Sequence, residues 1–165
     1  MREPGIFRWP GRIPAGRVCR EVAATIDILP TFGALAGAKV PADRIIDGRD
    51  IWPLISGVKG AQSPHEAFFY YRDYELQAVR SGKWKLVVEH NVPRTTEKVP
   101  QQLFDLETDI GETTDVADKY PSVVKRMMAY VERMREDIGD QATGTKGRNR
   151  RPCGVVAPVE APKAR

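Results

Sequence analysis

One run of the sequence limits the fold more than any other. From Pro121 to Ile138, apolar residues recur at Val124, Met127, Met128, Val131, Met134 and Ile138, while Lys125, Arg126, Glu132, Arg133 and Glu136 fill the other side. Spacing of three and four puts one apolar stripe on an α-helix. Pro121 suits its first turn and Gly139 its end. Such a stripe needs an apolar surface to cover. The segments just upstream supply one: Ala67–Tyr71, Leu76–Arg80, Trp84–Val88 and Gln102–Leu106 read as short strands rich in aromatic and branched residues. The Ser81-Gly82 pair marks a tight hairpin turn. The spacing therefore predicts an α+β unit, a small antiparallel sheet from residues 67–105 packed by one C-terminal helix. Packing on that sheet is the reading preferred for the methionine stripe over an open binding groove.

The N-terminal half is less regular. Gly5–Trp9, bounded by Pro4 and Pro10, reads as a strand, and nothing before it is present to pair with it. Asp27 stands where a helix N-cap would stand, with Pro30 in the first turn and Gly37 as the stop. Ile28, Leu29, Phe32, Leu35 and Ala36 share one face of that helix. Residues 38–66 are loop-rich. Asp47-Gly48 forms a tight turn, and Asp50 caps one helical turn that Gly57 ends.

Composition excludes several classes. No run of about 18 apolar residues marks a membrane span, and two cysteines are too few for a disulfide scaffold. The N-terminus has no signal-peptide pattern. Of the formal net charge of +4, residues 146–165 alone carry +5. The high pI thus belongs to a tail, read as flexible and solvated, and no aromatic residues interleave its charges as nucleic-acid stacking requires. The histidines, His65 and His90, are far apart in sequence. There is no HExxH, CxxC or GxSxG pattern, and Ser81-Gly82-Lys83-Trp84 lacks the spacing of a phosphate loop. Taken alone, these residues give an α+β domain without a visible active site.

The order of the segments adds to that reading. Residues 2–13 (REPGIFRWPGRI), Asp27-Ile-Leu-Pro-Thr31, Leu35-Ala-Gly37, Asp47-Gly-Arg-Asp50 with Pro53-Leu54 and Gly57, Phe68-Phe-Tyr-Tyr71, Ala78-Val-Arg-Ser-Gly-Lys-Trp-Lys-Leu86 and Leu103-Phe-Asp-Leu106 with Asp109 and Gly111-Glu112 occur in sequence. In this order they resemble the C-terminal portion of the sulfatase family, in the branch of arylsulfatase A and N-acetylgalactosamine-6-sulfatase. The resemblance covers residues 2 to about 140. It departs at Ile110, where the family usually has proline, and at Asp115, where asparagine is common.

The resemblance implies the end of an alkaline-phosphatase-like α/β domain in residues 1–60 and the small C-terminal subdomain in 61–140; composition makes 141–165 a basic flexible tail. It implies hydrolysis of sulfate esters by the full-length enzyme, with a formylglycine nucleophile and calcium. Neither Cys19 nor Cys153 stands in the family's Cys-x-Pro/Ala-Ser-x-Arg motif, and the paired Asp-Asp and Asp-Asn metal ligands do not occur. So no catalytic or metal-binding residue carries over, and this chain by itself is expected to be inactive. The small subdomain usually walls the substrate cleft, which makes Tyr71, Arg72 and Tyr74 the candidate substrate-approach residues for a sulfated small molecule or sugar. No nucleic acid or membrane partner is implied. Self-association through a strand edge at Ile6 and Phe7 is a further expectation. Family members mostly work outside the cytoplasm, although no export signal lies in these residues. The alternative is a non-catalytic interaction module with a basic tail.

Overall fold

The computed structural model describes residues 3–92 and 94–151 of the 165. Its centre is a four-stranded antiparallel sheet. The strands are β1 (Phe68–Arg72), β2 (Glu75–Ser81), β3 (Trp84–Val87) and, beyond an excursion, β6 (Gln102–Asp105), in the order β1-β2-β3-β6. The excursion holds a two-residue pair, β4 (His90–Asn91) with β5 (Lys98–Val99). Two-residue loops close both hairpins. Arg72 pairs with Glu75 around Asp73-Tyr74, and Ser81 pairs with Trp84 around Gly82-Lys83. The second turn therefore sits one residue later than the sequence predicts, because Ser81 is itself a paired strand residue. A bulge opposite Tyr70 and Tyr71 leaves Gln77 as an extra residue in β2.

Helix α3 (Pro121–Ile138) covers one sheet face, with the bounds expected from its sequence. Val123, Met127 and Val131, each four apart, are its innermost residues. They pack with Leu76, Val79, Leu86 and Leu103 in the core. Val124, Met128 and Met134 flank this row, half-buried. The far edge of the sheet is closed by a loop: Leu103 N donates to Asp115 Oδ1 at 2.9 Å, and Val116 N donates to the Leu103 carbonyl at 2.9 Å. Only an oxygen acceptor is needed at residue 115, so aspartate serves there as well as asparagine.

The chain does not become a free tail after residue 140. Gly139–Asp140 (β7) pairs with Thr145–Lys146 (β8) through a short turn, and residues 148–149 return along the end of α3. The basic tail expected from residue 141 thus includes a structured stretch to Arg151; the rest of it lies outside the described residues.

The N-terminal segment holds α1 (Ile28–Leu35) and α2 (Trp52–Ser56). Asp50 Oδ1 accepts from Trp52 N at 2.8 Å, which starts α2 as expected, and Gly57 ends it in the left-handed region. Two expectations fail here. Residues 5–9 form no strand, since none of their backbone groups meets a neighbouring strand. Asp27 does not cap α1; it is fully buried and turned to other partners, described below. The apolar positions of α1 are open: Leu29 is 59% and Phe32 52% exposed, while Pro30 and Thr31 face inward. Among the described residues, no helix is long and apolar enough to cross a membrane.

Candidate functional site

A cavity of about 800 Å³ lies where the N-terminal segment meets β1 and the end of α3. Ile26, Asp47 and His65 contribute from the first, Tyr71 and Met134 from the second, and Arg151 from the returning C-terminal stretch. Its walls mix apolar side chains with both acidic and basic ones.

Alternation along β1 places Tyr71 on the same face as Phe69, against the core. Its hydroxyl donates to the Gly139 carbonyl at 2.8 Å, joining the sheet to the end of α3. Burial, and then the nearby Asp140 carboxylate, push the Tyr71 phenol up to about 12. A raised phenol favours the neutral, protonated form in the folded state. Its contribution is therefore whole below the ordinary value near 10 and is lost as pH rises through about 12. Tyr71→Phe is expected to flatten this alkaline loss of stability, as read from urea midpoints between about pH 9 and 12. An unchanged alkaline slope in the variant would contradict the assignment.

Arg72 is exposed and does not line the cavity. Tyr74 stands on the rim, 66% exposed, at the hairpin tip. The tip is held in place: Tyr74 O accepts from Gln141 N at 2.9 Å, and Asp73 beside it takes a left-handed backbone, φ 54°. Of the three residues expected to approach substrate, Tyr71 and Tyr74 thus border one cavity, and Arg72 lies outside it.

Three polar groupings around the cavity escaped the sequence reading. Asp27 Oδ2 accepts from Ala24 N at 2.7 Å, and its Oδ1 accepts from Arg49 N at 2.8 Å and lies 2.7 Å from His65 Nε2. His65 is thus a partner of a buried carboxylate. Gly48 makes the approach possible, since a Cβ there would overlap the Ile26 carbonyl. Asp140, also buried, accepts from Leu76 N, Ala142 N and Arg135 Nε. Arg151 forms a fork with Asp47. The local signal for the first was the Asp47-Gly48 turn; the other two had none. His90 Nδ1 lies 2.7 Å from the Val88 carbonyl, and Cys19 is exposed in an irregular stretch. Among the described residues, no group of three or more His, Cys, Asp or Glu is placed to hold a metal ion.

The family model for the C-terminal region of aryl-sulfatase matches residues 63–158. Human arylsulfatase D is 36% identical over 169 residues, covering 84% of this chain and 28% of that protein. Human steryl-sulfatase is 51% identical over 80 residues, covering 48% of this chain and 14% of that protein. A crystal structure of Ps i-CgsB in complex with k-i-k-neocarrahexaose matches with a TM-score of 0.59 and 31% identity, over 76% of this chain and 27% of that one. The chain spans less than a third of the length of each of these relatives.

Proposed function

The chain belongs to the sulfatase family, whose C-terminal region it carries, and from that premise we propose that it forms one wall of the substrate cleft of a sulfate-ester hydrolase. The observation that carries this reading is the cavity bordered by Tyr71 and by the firmly held hairpin tip at Tyr74. The exposed Tyr74 ring offers a flat apolar face with a polar edge, suited to a sugar ring. The Arg72 guanidinium, outside the cavity on the same hairpin, offers a fork for a sulfate or carboxylate at the cleft margin. The complex of a 31% identical relative with k-i-k-neocarrahexaose supports a sugar as the substrate class, and the sulfatase family match supports a sulfate ester on it.

The attacking formylglycine and the calcium of the full-length enzyme belong, in this proposal, to residues other than those described here. The described residues do not fit a calcium site, since no cluster of oxygen ligands is present among them, and no step is assigned through the ion. The open positions Ile28, Leu29 and Phe32 on α1 form the face that the large α/β domain covers. The division into a large-domain edge (1–60) and a small subdomain (from 61) is part of this proposal, with the subdomain extended to Arg151.

Two measurements test the reading. The purified chain with an aryl sulfate and calcium is expected to give no turnover; metal-dependent turnover above a buffer blank would refute the assignment of chemistry elsewhere. In the full-length enzyme, Arg72→Ala and Tyr74→Ala are expected to raise KM for a sulfated oligosaccharide by roughly tenfold with little change in kcat. Unchanged KM in both would remove these residues from the cleft.

A further inference from the structure

We propose that residues 146–151 form a strap latched across the cavity by Arg151, and that the Arg151–Asp47 pair sets how firmly the N-terminal segment is held against the sheet-and-helix unit. The seat of the strap follows from helix chemistry. The last carbonyls of an α-helix have no partner within it. Here Arg148 N donates to the Glu136 carbonyl at 3.0 Å and Asn149 N to the Asp137 carbonyl at 2.8 Å, while Asn149 Nδ2 donates to Asp137 Oδ1 at 2.8 Å. The strap thereby supplies donors to two of the last carbonyls of α3. Gly147 is required for this approach, because a Cβ there would overlap the backbone of Ile138.

From that seat the chain reaches across the cavity. Arg151 Nη2 lies 2.6 Å from Asp47 Oδ1 and its Nε 3.3 Å from Oδ2, a two-point fork between residues far apart in sequence. Nη1 donates to the Asn149 carbonyl and lies 3.8 Å from Asp137 Oδ1, so the guanidinium also ties to the strap's own seat. Asp47 opens the turn whose Arg49 N donates to buried Asp27, the partner of His65. One ion pair thus connects the end of α3 to the polar node inside the N-terminal segment. Asp47 and Arg151 both line the cavity, so release of the pair frees two of its walls together.

The pair is partly open to solvent, with side-chain exposures of 30% for Arg151 and 54% for Asp47. Partly exposed pairs hold weakly, and a forked geometry places this one toward the upper end of that range. The latch is therefore one that opens: salt, or an anion that takes the guanidinium, releases it. This inference rests on the strap's geometry alone and does not depend on the proposed cleft.

Amide hydrogen exchange of the full chain, read by NMR at low salt, tests it. The reporters are the amides of Arg49, Arg148 and Asn149, whose acceptors lie on the two sides of the latch. The controls are Val88, bonded to Gln77 O, and Leu106, bonded to Lys83 O. Arg151→Ala is expected to speed the reporters by roughly fivefold and leave the controls unchanged. The exchanged pair, Asp47→Arg with Arg151→Asp, is expected to return the reporters toward the original rates. Molar sodium chloride is expected to speed them in the original chain and not in Arg151→Ala. Unchanged reporters in Arg151→Ala would overturn the latch. So would an equal rise in reporters and controls, or reporters in the exchanged pair that stay as fast as in Arg151→Ala.

Discussion

Met127→Asp is expected to destabilise the sheet-and-helix unit by roughly 3 kcal/mol or more. Met127 is 0% exposed and lies in one core with Leu76, Val79, Leu86, Leu103 and Val131. A carboxylate at that position would have only apolar neighbours, and an unpaired charge in such a site is either desolvated or forced to take a proton. The shorter side chain also leaves space that a thioether now fills. Together these cost roughly 3 kcal/mol or more, a large share of the ~5–15 kcal/mol that holds a typical domain folded. Lys125→Asp, on the exposed face of the same helix, changes charge without burial and is expected to shift stability by less than about 0.5 kcal/mol. Urea unfolding followed by near-UV circular dichroism separates the two. A Met127→Asp midpoint equal to that of the original chain would show that α3 does not pack as described.

The contrast between these positions was legible in the sequence because α3 is specified by local pattern twice over, by its period and by Pro121 and Gly139 at its ends. The strands of the sheet were legible for the same reason. The innermost row keeps Met127 and Val131 from the expected stripe and differs at its first member: Val123, absent from that stripe, lies inside, and Val124 only flanks it. A stripe read from spacing fixes a face about 100° wide, and only contact with the sheet selects its centre. What local pattern could not reveal depends on partners distant in sequence. Asp27 resembles an N-cap because it precedes a helix, yet its acceptors are filled from Ala24, Arg49 and His65. Residues 5–9 have strand-like composition, but a strand exists only by pairing. The cavity itself is built where segments some hundred residues apart converge. The family resemblance points to Tyr71 and Tyr74, whereas Arg151 sits in a basic run whose local pattern carries no sign of its distant partner Asp47.

Asp140→Ala is the second change with a large expected effect, and it tests the joint between α3 and the hairpin tip. The Asp140 side chain is 0% exposed and that of Arg135 is 13% exposed, with Arg135 Nε 2.9 Å from Asp140 Oδ2. The other oxygen accepts from Leu76 N at 3.2 Å, where β2 begins, and from Ala142 N at 3.0 Å, in the turn that leads to the strap. One carboxylate thus serves a guanidinium, a strand and a turn. Its removal leaves the buried amide of Leu76 without an acceptor, at about 1–3 kcal/mol, and strips a largely buried guanidinium of one of its two anions. Glu132 remains to Arg135 at 2.7 Å, with its own side chain 58% exposed, and so offsets part of that loss. The sum is expected near 3 kcal/mol, at the lower end of the range for breaking a buried pair. Arg135→Ala should cost less, because Asp140 would keep both backbone donors that neutralise part of its charge. Urea midpoints with an unchanged slope would establish that order. If Asp140→Ala costs under about 1 kcal/mol, or less than Arg135→Ala, then the carboxylate is not the joint, and the hairpin tip that carries Tyr74 is held by its bond to Gln141 alone.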